Sequence, residues 1–186
     1  GQRAFVEPAF PAVTCTAQSD YLTGKTASEH GIVANGWYNR ELAEVQFWKQ
    51  LDYMGISGYY ELTDSLTPNL DQLKTAWRIV RFRILEWRRK QGLDELPLLF
   101  TELGYASQDG CASKPWNYFF SKTVDLEEQR LCYQAFTEVW AKVPELRGVY
   151  FYEWWGHGGR ADRGYTPRGK PAMSVIREWF RVGSGR

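Results

Sequence analysis

Histidine is nearly missing from this chain, with only His30 and His157 among 186 residues. Two imidazoles exclude any metal centre built from several of them. Cysteine is scarce as well: Cys15, Cys111 and Cys132 are an odd number with no metal-like spacing. At most one disulfide can form, none is indicated, and the expected compartment is a reducing, cytoplasmic one. No signal peptide opens the sequence, and no stretch approaches the ~20 apolar residues of a membrane span, so no membrane partner is expected. Charge of one sign is lacking too. Lys and Arg number 23 against 22 Asp and Glu, a formal +1, which gives no general electrostatic reason to bind nucleic acid. The densest basic run, residues 78–90, falls on an amphipathic helix and is expected to be its solvated outer face.

Aromatic residues are what the chain has in quantity. Nine Trp and eleven Tyr suit either a thick core or a surface that stacks on sugar rings. From residue 51 onward, apolar segments alternate in type. Residues 53–60 (YMGISGYY), 97–103 (PLLFTEL) and 148–154 (GVYFYEW) read as strands, the second as a parallel strand buried on both faces. Between and after them lie three helices. The first is capped by Thr67 with Pro68 at its first position, buries Leu73, Trp77, Val80, Ile84 and Trp87, and ends at Gly92. The second starts with an Asp125–Glu128 capping box and buries Leu131, Ala135, Phe136, Val139, Trp140 and Val143, with Cys132 as a small core residue. The third opens at Pro171 and turns Val175, Ile176, Trp179 and Phe180 inward. Strand–helix repeated three times predicts an α/β fold with a parallel sheet.

Residues 1–50 differ in character. Residues 12–22 read as a turn running into a helix, 24–36 as a loop punctuated by Gly31 and Gly36, and 40–51 as a helix with Leu42, Val45 and Trp48 on one face. No linker separates this part from residues 51–186, so one packed body is expected.

Five segments in order resemble the end of the TIM-barrel glycosidases similar to the family 113 mannanases: residues 51–64 (LDYMGISGYYELTD), 98–105 (LLFTELGY), Pro115-Trp116, 148–159 (GVYFYEWWGHGG) and 164–171 (GYTPRGKP). The resemblance implies strands six, seven and eight of a (β/α)₈ barrel, a partial barrel of three βα units. It also implies that Glu102 matches the family's nucleophile, with the family's acid/base on strand four. Residues 11–24 (PAVTCTAQSDYLTG), Glu29 to Val33 and Asn35 to Tyr38 resemble instead the nucleotide pyrophosphatase/phosphodiesterase branch of the alkaline phosphatase superfamily. That second resemblance implies Thr14 as a nucleophile toward phosphorus, Asn35 as the holder of a phosphoryl oxygen, and His30 as a loop-stabilising residue rather than a metal ligand. A chain with both reads as a chimera, a phosphodiesterase-like fragment over residues 1–50 before a glycosidase-like partial barrel over 51–186.

Barrel enzymes work at the C-terminal ends of their strands. Glu61, Glu102 and Glu153 all fall there, close enough for paired carboxylate chemistry or, alternatively, for ion pairs with Arg160 or Arg163. Glu102 and Glu153 with His157 are also a candidate ligand set for Zn²⁺ or Mn²⁺. Tyr59, Tyr60, Tyr105, Trp116, Trp154, Trp155 and Tyr165 are candidates to stack on a saccharide or an aryl leaving group, or else to plug the core; of Trp154 and Trp155, one at least is expected to face the cleft. Three parallel strands leave two open edges, so pairing of two copies into a homodimer is expected. The expected function is hydrolysis of a small-molecule or saccharide substrate. Metal-assisted cleavage of phosphodiesters or phosphotriesters leads, followed by β-hexoside hydrolysis through Glu102, with a non-catalytic carbohydrate-binding remnant as the third reading.

Overall fold

A computed structural model describes residues 46–183, with side chains described over 48–181. Compact units divide between Leu42 and Ala43, and every described residue belongs to the second. Thr14, Cys15, His30, Asn35 and the elements expected over residues 12–45 lie outside the described residues. Of the helix expected over 40–51, the described part is a 3-10 helix, Gln46–Gln50, whose Trp48 ring meets Trp87 edge-on at 5.9 Å.

The element order is β1 (Met54–Ser57), α1 (Leu70–Lys90), β2 (Leu98–Leu103), α2 (Leu126–Trp140), β3 (Leu146–Phe151) and α3 (Ala172–Gly183). The strands form one parallel sheet in sequence order, β1-β2-β3. The fold is therefore the α/β arrangement with a parallel sheet that the alternation predicts, and its three βα units are those of the partial barrel that the resemblance implies. Helix α1 starts two residues later than expected. Asn69 accepts from the Gln72 amide while the Gln72 side chain accepts from the Asn69 amide, a reciprocal box that Thr67 and Pro68 cannot make. Gly92 ends that helix in the left-handed region, φ 64°. Asp125 caps α2 by accepting from the Glu128 amide, but Glu128 does not return the bond; its carboxylate takes the amides of Gly110 and Ala112 instead.

The core lies between one face of the sheet and the three helices. Trp77 is its hub, with Tyr60, Phe100, Phe136 and Trp140 all edge-on within 5.2–6.4 Å. Edge-to-face contacts at such spacings add to the stabilisation from burial alone. Three expectations need correction. Strand β2 is not buried on both faces: Leu98, Phe100 and Leu103 are in the core, while Thr101 is exposed on the other side. The basic face of α1 is not all solvated, since Arg88 is buried and donates to the carbonyls of Leu96 and Asp94 in the loop before β2. Phe180 is half-exposed, although its ring still touches Phe151.

Candidate active site at the strand ends

A break in strand periodicity places Glu102. Along β2, Leu98 and Phe100 point into the core, so strict alternation would send Glu102 there too. Both neighbours register one extra β2 residue at this point. Ile56 and Ser57 pair with Phe100 and Glu102, while Val149 and Phe151 pair with Phe100 and Leu103. This β-bulge shifts the phase, so Leu103 enters the core, fully buried, and Glu102 leaves it half-exposed. The bulge is held on both sides, by the Gly58 amide on the Glu102 carbonyl at 2.6 Å and the Tyr152 amide on the Leu103 carbonyl at 2.8 Å.

Tyr59, just past the end of β1, donates its hydroxyl to Glu102 Oε2 at 3.2 Å. Burial, then the charge of Glu102, pushes the Tyr59 phenol well above its ordinary range, so it stays protonated and donates. Tyr152 and Tyr165 stand around it, with ring centroids 6.3 and 6.4 Å from Tyr59 and 5.2 Å from each other. The Tyr152 phenol is raised by partial burial and then by Glu153 and, more weakly, Glu102, so it stands within the field of both carboxylates. The Tyr152–Glu153 peptide is cis. Tyr165 is buried and donates its hydroxyl to the Pro115 carbonyl at 2.7 Å.

A buried lysine fastens the loop after β3, which carries Tyr152 and Tyr165, to the loop after β2. Lys170 Nζ donates to Ser107 Oγ at 2.7 Å, Asp162 Oδ1 at 2.7 Å and the Gly164 carbonyl at 2.8 Å, which uses all three of its protons. Burial lowers its affinity for a proton, and Asp162 opposes that shift. Partial burial pushes Asp162 upward, but Lys170 and the Gly164 amide outweigh it and hold the carboxyl below its ordinary range.

The other candidates divide. Glu153 is half-buried just past β3. Glu61 is exposed and pairs at 2.7 Å with Lys114, not with Arg160 or Arg163; Arg163 instead donates to the Ser121 carbonyl. Tyr105 is fully buried against Tyr133, and Tyr60 packs on Trp77, so both belong to the core rather than to a cleft. Trp116 is exposed, and so are both Trp154 and Trp155, because β3 ends at Phe151 and its alternation no longer governs them. His157 is exposed between Gly156 and Gly158 and does not converge with Glu102 and Glu153. Among the described residues the carboxylates that do converge within 4.8 Å are Asp109, Asp125 and Glu128, where Glu128 serves the turn at Gly110–Ala112. Sequence reasoning passes over Lys170, and it names Tyr59 as a stacking ring but not as the partner of Glu102. Glu102 lies 43 residues from Tyr59 and Ser107 lies 63 from Lys170, beyond the reach of any local pattern, although the other two partners of Lys170, Asp162 and Gly164, are 8 and 6 residues away. A 490 Å³ cavity along α3 is lined by Lys170, Met173, Arg177 and Arg181 and by none of Glu61, Glu102 and Glu153, and among the described residues no helix is long and apolar enough to cross a membrane.

The model of Glycoside Hydrolase Family 113 matches residues 27–170. That span includes Glu29 to Val33 and Asn35 to Tyr38, part of the stretch that resembles a phosphodiesterase, and the matches described here lend that resemblance no support. Among solved structures, the chain is similar to a family 113 β-1,4-mannanase in a complex, with 25% identity and a TM-score of 0.55 over 77% of this chain and 43% of that one. It is similar also to the family 113 β-mannanase of Alicyclobacillus acidocaldarius in complex with ManMIm, with 27% identity and a TM-score of 0.57 over 76% and 42%. The chain thus spans less than half the length of either mannanase. No curated protein matches it.

Proposed function

We propose, for a chain that belongs to glycoside hydrolase family 113, that its strand ends cleave β-linked hexosides, β-1,4-linked mannosyl chains among them, with Glu102 as nucleophile. The observation that carries this reading is the Tyr59–Glu102 hydrogen bond at the β-bulge, which holds one carboxylate out of the core and aimed by a protonated phenol. In this reading an oxygen of Glu102 attacks the anomeric carbon, the glycosidic bond breaks, and the leaving oxygen takes a proton from a second carboxylic acid. Glu153, which shares Tyr152 with Glu102, is the second carboxylate that we assign. Water then releases the sugar with its anomeric configuration retained, which requires the two carboxyl groups to come within ~5–5.5 Å.

Phosphoester cleavage draws no support from the described residues, because Glu102, Glu153 and His157 do not gather as a ligand set. Turnover of aryl β-hexosides, phosphodiesters and phosphotriesters, each with and without EDTA, separates the two chemistries. Chelator-resistant hexoside cleavage that falls at least ~10³-fold in Glu102→Gln is expected. Phosphoester turnover abolished by chelator and restored by Zn²⁺ or Mn²⁺ would overturn the reading.

A further inference from the structure

Three cysteines allow three pairings, and spacing along the sequence does not choose among them. The fold brings two of them together. Cys111 lies in the loop after β2 and Cys132 on α2, both free thiols fully buried in the one hydrophobic core. Glu128 fixes one to the other. Its carboxylate takes the Gly110 amide at 2.7 Å and the Ala112 amide at 2.9 Å, so it straddles Cys111. Cys132 follows Glu128 by one helical turn and shares its buried face of α2. The backbone at Cys111 is held elsewhere too. Its amide donates to the Gln108 carbonyl at 3.1 Å, and the Ala112 carbonyl accepts the Leu62 amide at 2.9 Å. Gly110, at φ 80°, makes the turn that precedes it. The two thiols are in contact. Burial pushes both up, and the hydrogen bond between them raises Cys111, its donor, further while lowering Cys132, its acceptor.

Two sulfurs that touch between a rigid helix and an anchored turn can be joined with little movement of either backbone. Neither thiol meets a reagent once the core has closed, and burial leaves few thiolates to react. The bond therefore forms while the chain folds. One cysteine thiolate attacks glutathione disulfide and releases a glutathione thiolate, and the second cysteine's thiolate then attacks the protein sulfur of that mixed disulfide. Two cysteine thiols are oxidised, one glutathione disulfide is reduced to two thiols, and the two cysteine protons end on glutathione. The ring so closed, residues 111–132, contains Pro115, whose carbonyl holds the Tyr165 hydroxyl beside Tyr59 and Tyr152. A staple there ties the loop that positions Tyr165 to α2.

We propose that Cys111 and Cys132 are a disulfide site, joined when the chain folds in an oxidising medium, and that the bond fastens the loop after β2 to α2. The proposal is independent of the reading of Glu102. The full chain is unfolded in guanidinium with dithiothreitol, refolded in a glutathione redox buffer, unfolded again, alkylated and mapped by peptide mass spectrometry. A link between the peptides that carry Cys111 and Cys132, with Cys15 alkylated, is the expected result. Cys15 linked to either, or all three alkylated, would overturn the proposal. Chain refolded in glutathione should also melt about 5–10 °C above chain refolded in dithiothreitol, a difference that Cys15→Ser keeps and Cys132→Ala abolishes. The comparison of the two refolded forms needs no substitution, so it decides the matter even where Cys132→Ala does not fold. Equal midpoints, or a lower one for the linked chain, would show that the bond does not fit the fold and would overturn the proposal too.

Discussion

Glu102 is held by a neighbour that contributes no chemistry of its own. The Tyr59 phenol, kept protonated by burial and by the Glu102 charge, donates to the carboxylate and fixes its direction. A hydrogen bond to a charged group contributes about 1.5–3 kcal/mol, so Tyr59→Phe should lower hexoside turnover about 10- to 100-fold, measured as kcat/KM. Lys170 acts at one remove, through Ser107, Asp162 and Gly164. Lys170→Met should cost about 3 kcal/mol in denaturant unfolding, because it leaves the Asp162 charge without its counter-ion. The same pair sets a pH dependence. A carboxyl whose folded-state value is depressed stabilises the fold above its unfolded value, and that stabilisation is lost as pH falls through the folded value. The stability gap between the native chain and Asp162→Asn should therefore be full at neutral pH and close as pH falls below about 4; a gap constant with pH would contradict the ion pair. At this scale the sequence was partly legible. The predicted strand ends placed Glu102 and Glu153 near one another in the fold, and Glu102 lies near the end of β2 and Glu153 just past β3. For Tyr60 and Tyr105 the sequence left cleft and core both open, and Trp77 and Tyr133 draw them into the core, a competition that pattern alone cannot decide.

Periodicity made the elements the most legible part of the chain. Three strands and three helices lie at the expected segments, but β1 ends at Ser57 and β3 runs Leu146–Phe151, each stopping three residues early, and α1 starts two residues late where the Asn69 box outcompetes the Thr67 cap. The bulge in β2 was not legible, because it shows only in the register against both neighbouring strands. It also demands close approach. A Cβ on Gly104 would stand 2.1 Å from the Tyr152 carbonyl oxygen, a backbone atom that cannot swing aside. Gly104→Ala should therefore destabilise the fold by about 3 kcal/mol and reduce turnover with it, read from thermal unfolding and kcat together. A neutral Gly104→Ala would mean that β2 and β3 are farther apart beyond the bulge.

At the scale of the molecule, the described residues form a three-stranded parallel sheet that carries helices on one face and, among those residues, leaves the other open. Tyr150, 66% exposed, stands on that open face with Thr101. In a closed barrel that face is the interior, and this chain spans 42–43% of the length of the mannanases it resembles. Sequence patterning foretold the parallel sheet but not its open side, because apolar spacing along a strand does not tell which neighbours will cover it. The claim that depends on all three scales is that Glu102 forms a bond to sugar. Exposure of the full chain to a 2-deoxy-2-fluoro β-mannosyl fluoride, followed by intact and peptide mass spectrometry, tests it most directly. The predicted result is one added fluoroglycosyl unit, on the peptide that contains Glu102, formed equally in EDTA and absent in Glu102→Gln; no adduct, or an adduct on another residue, would contradict the assignment.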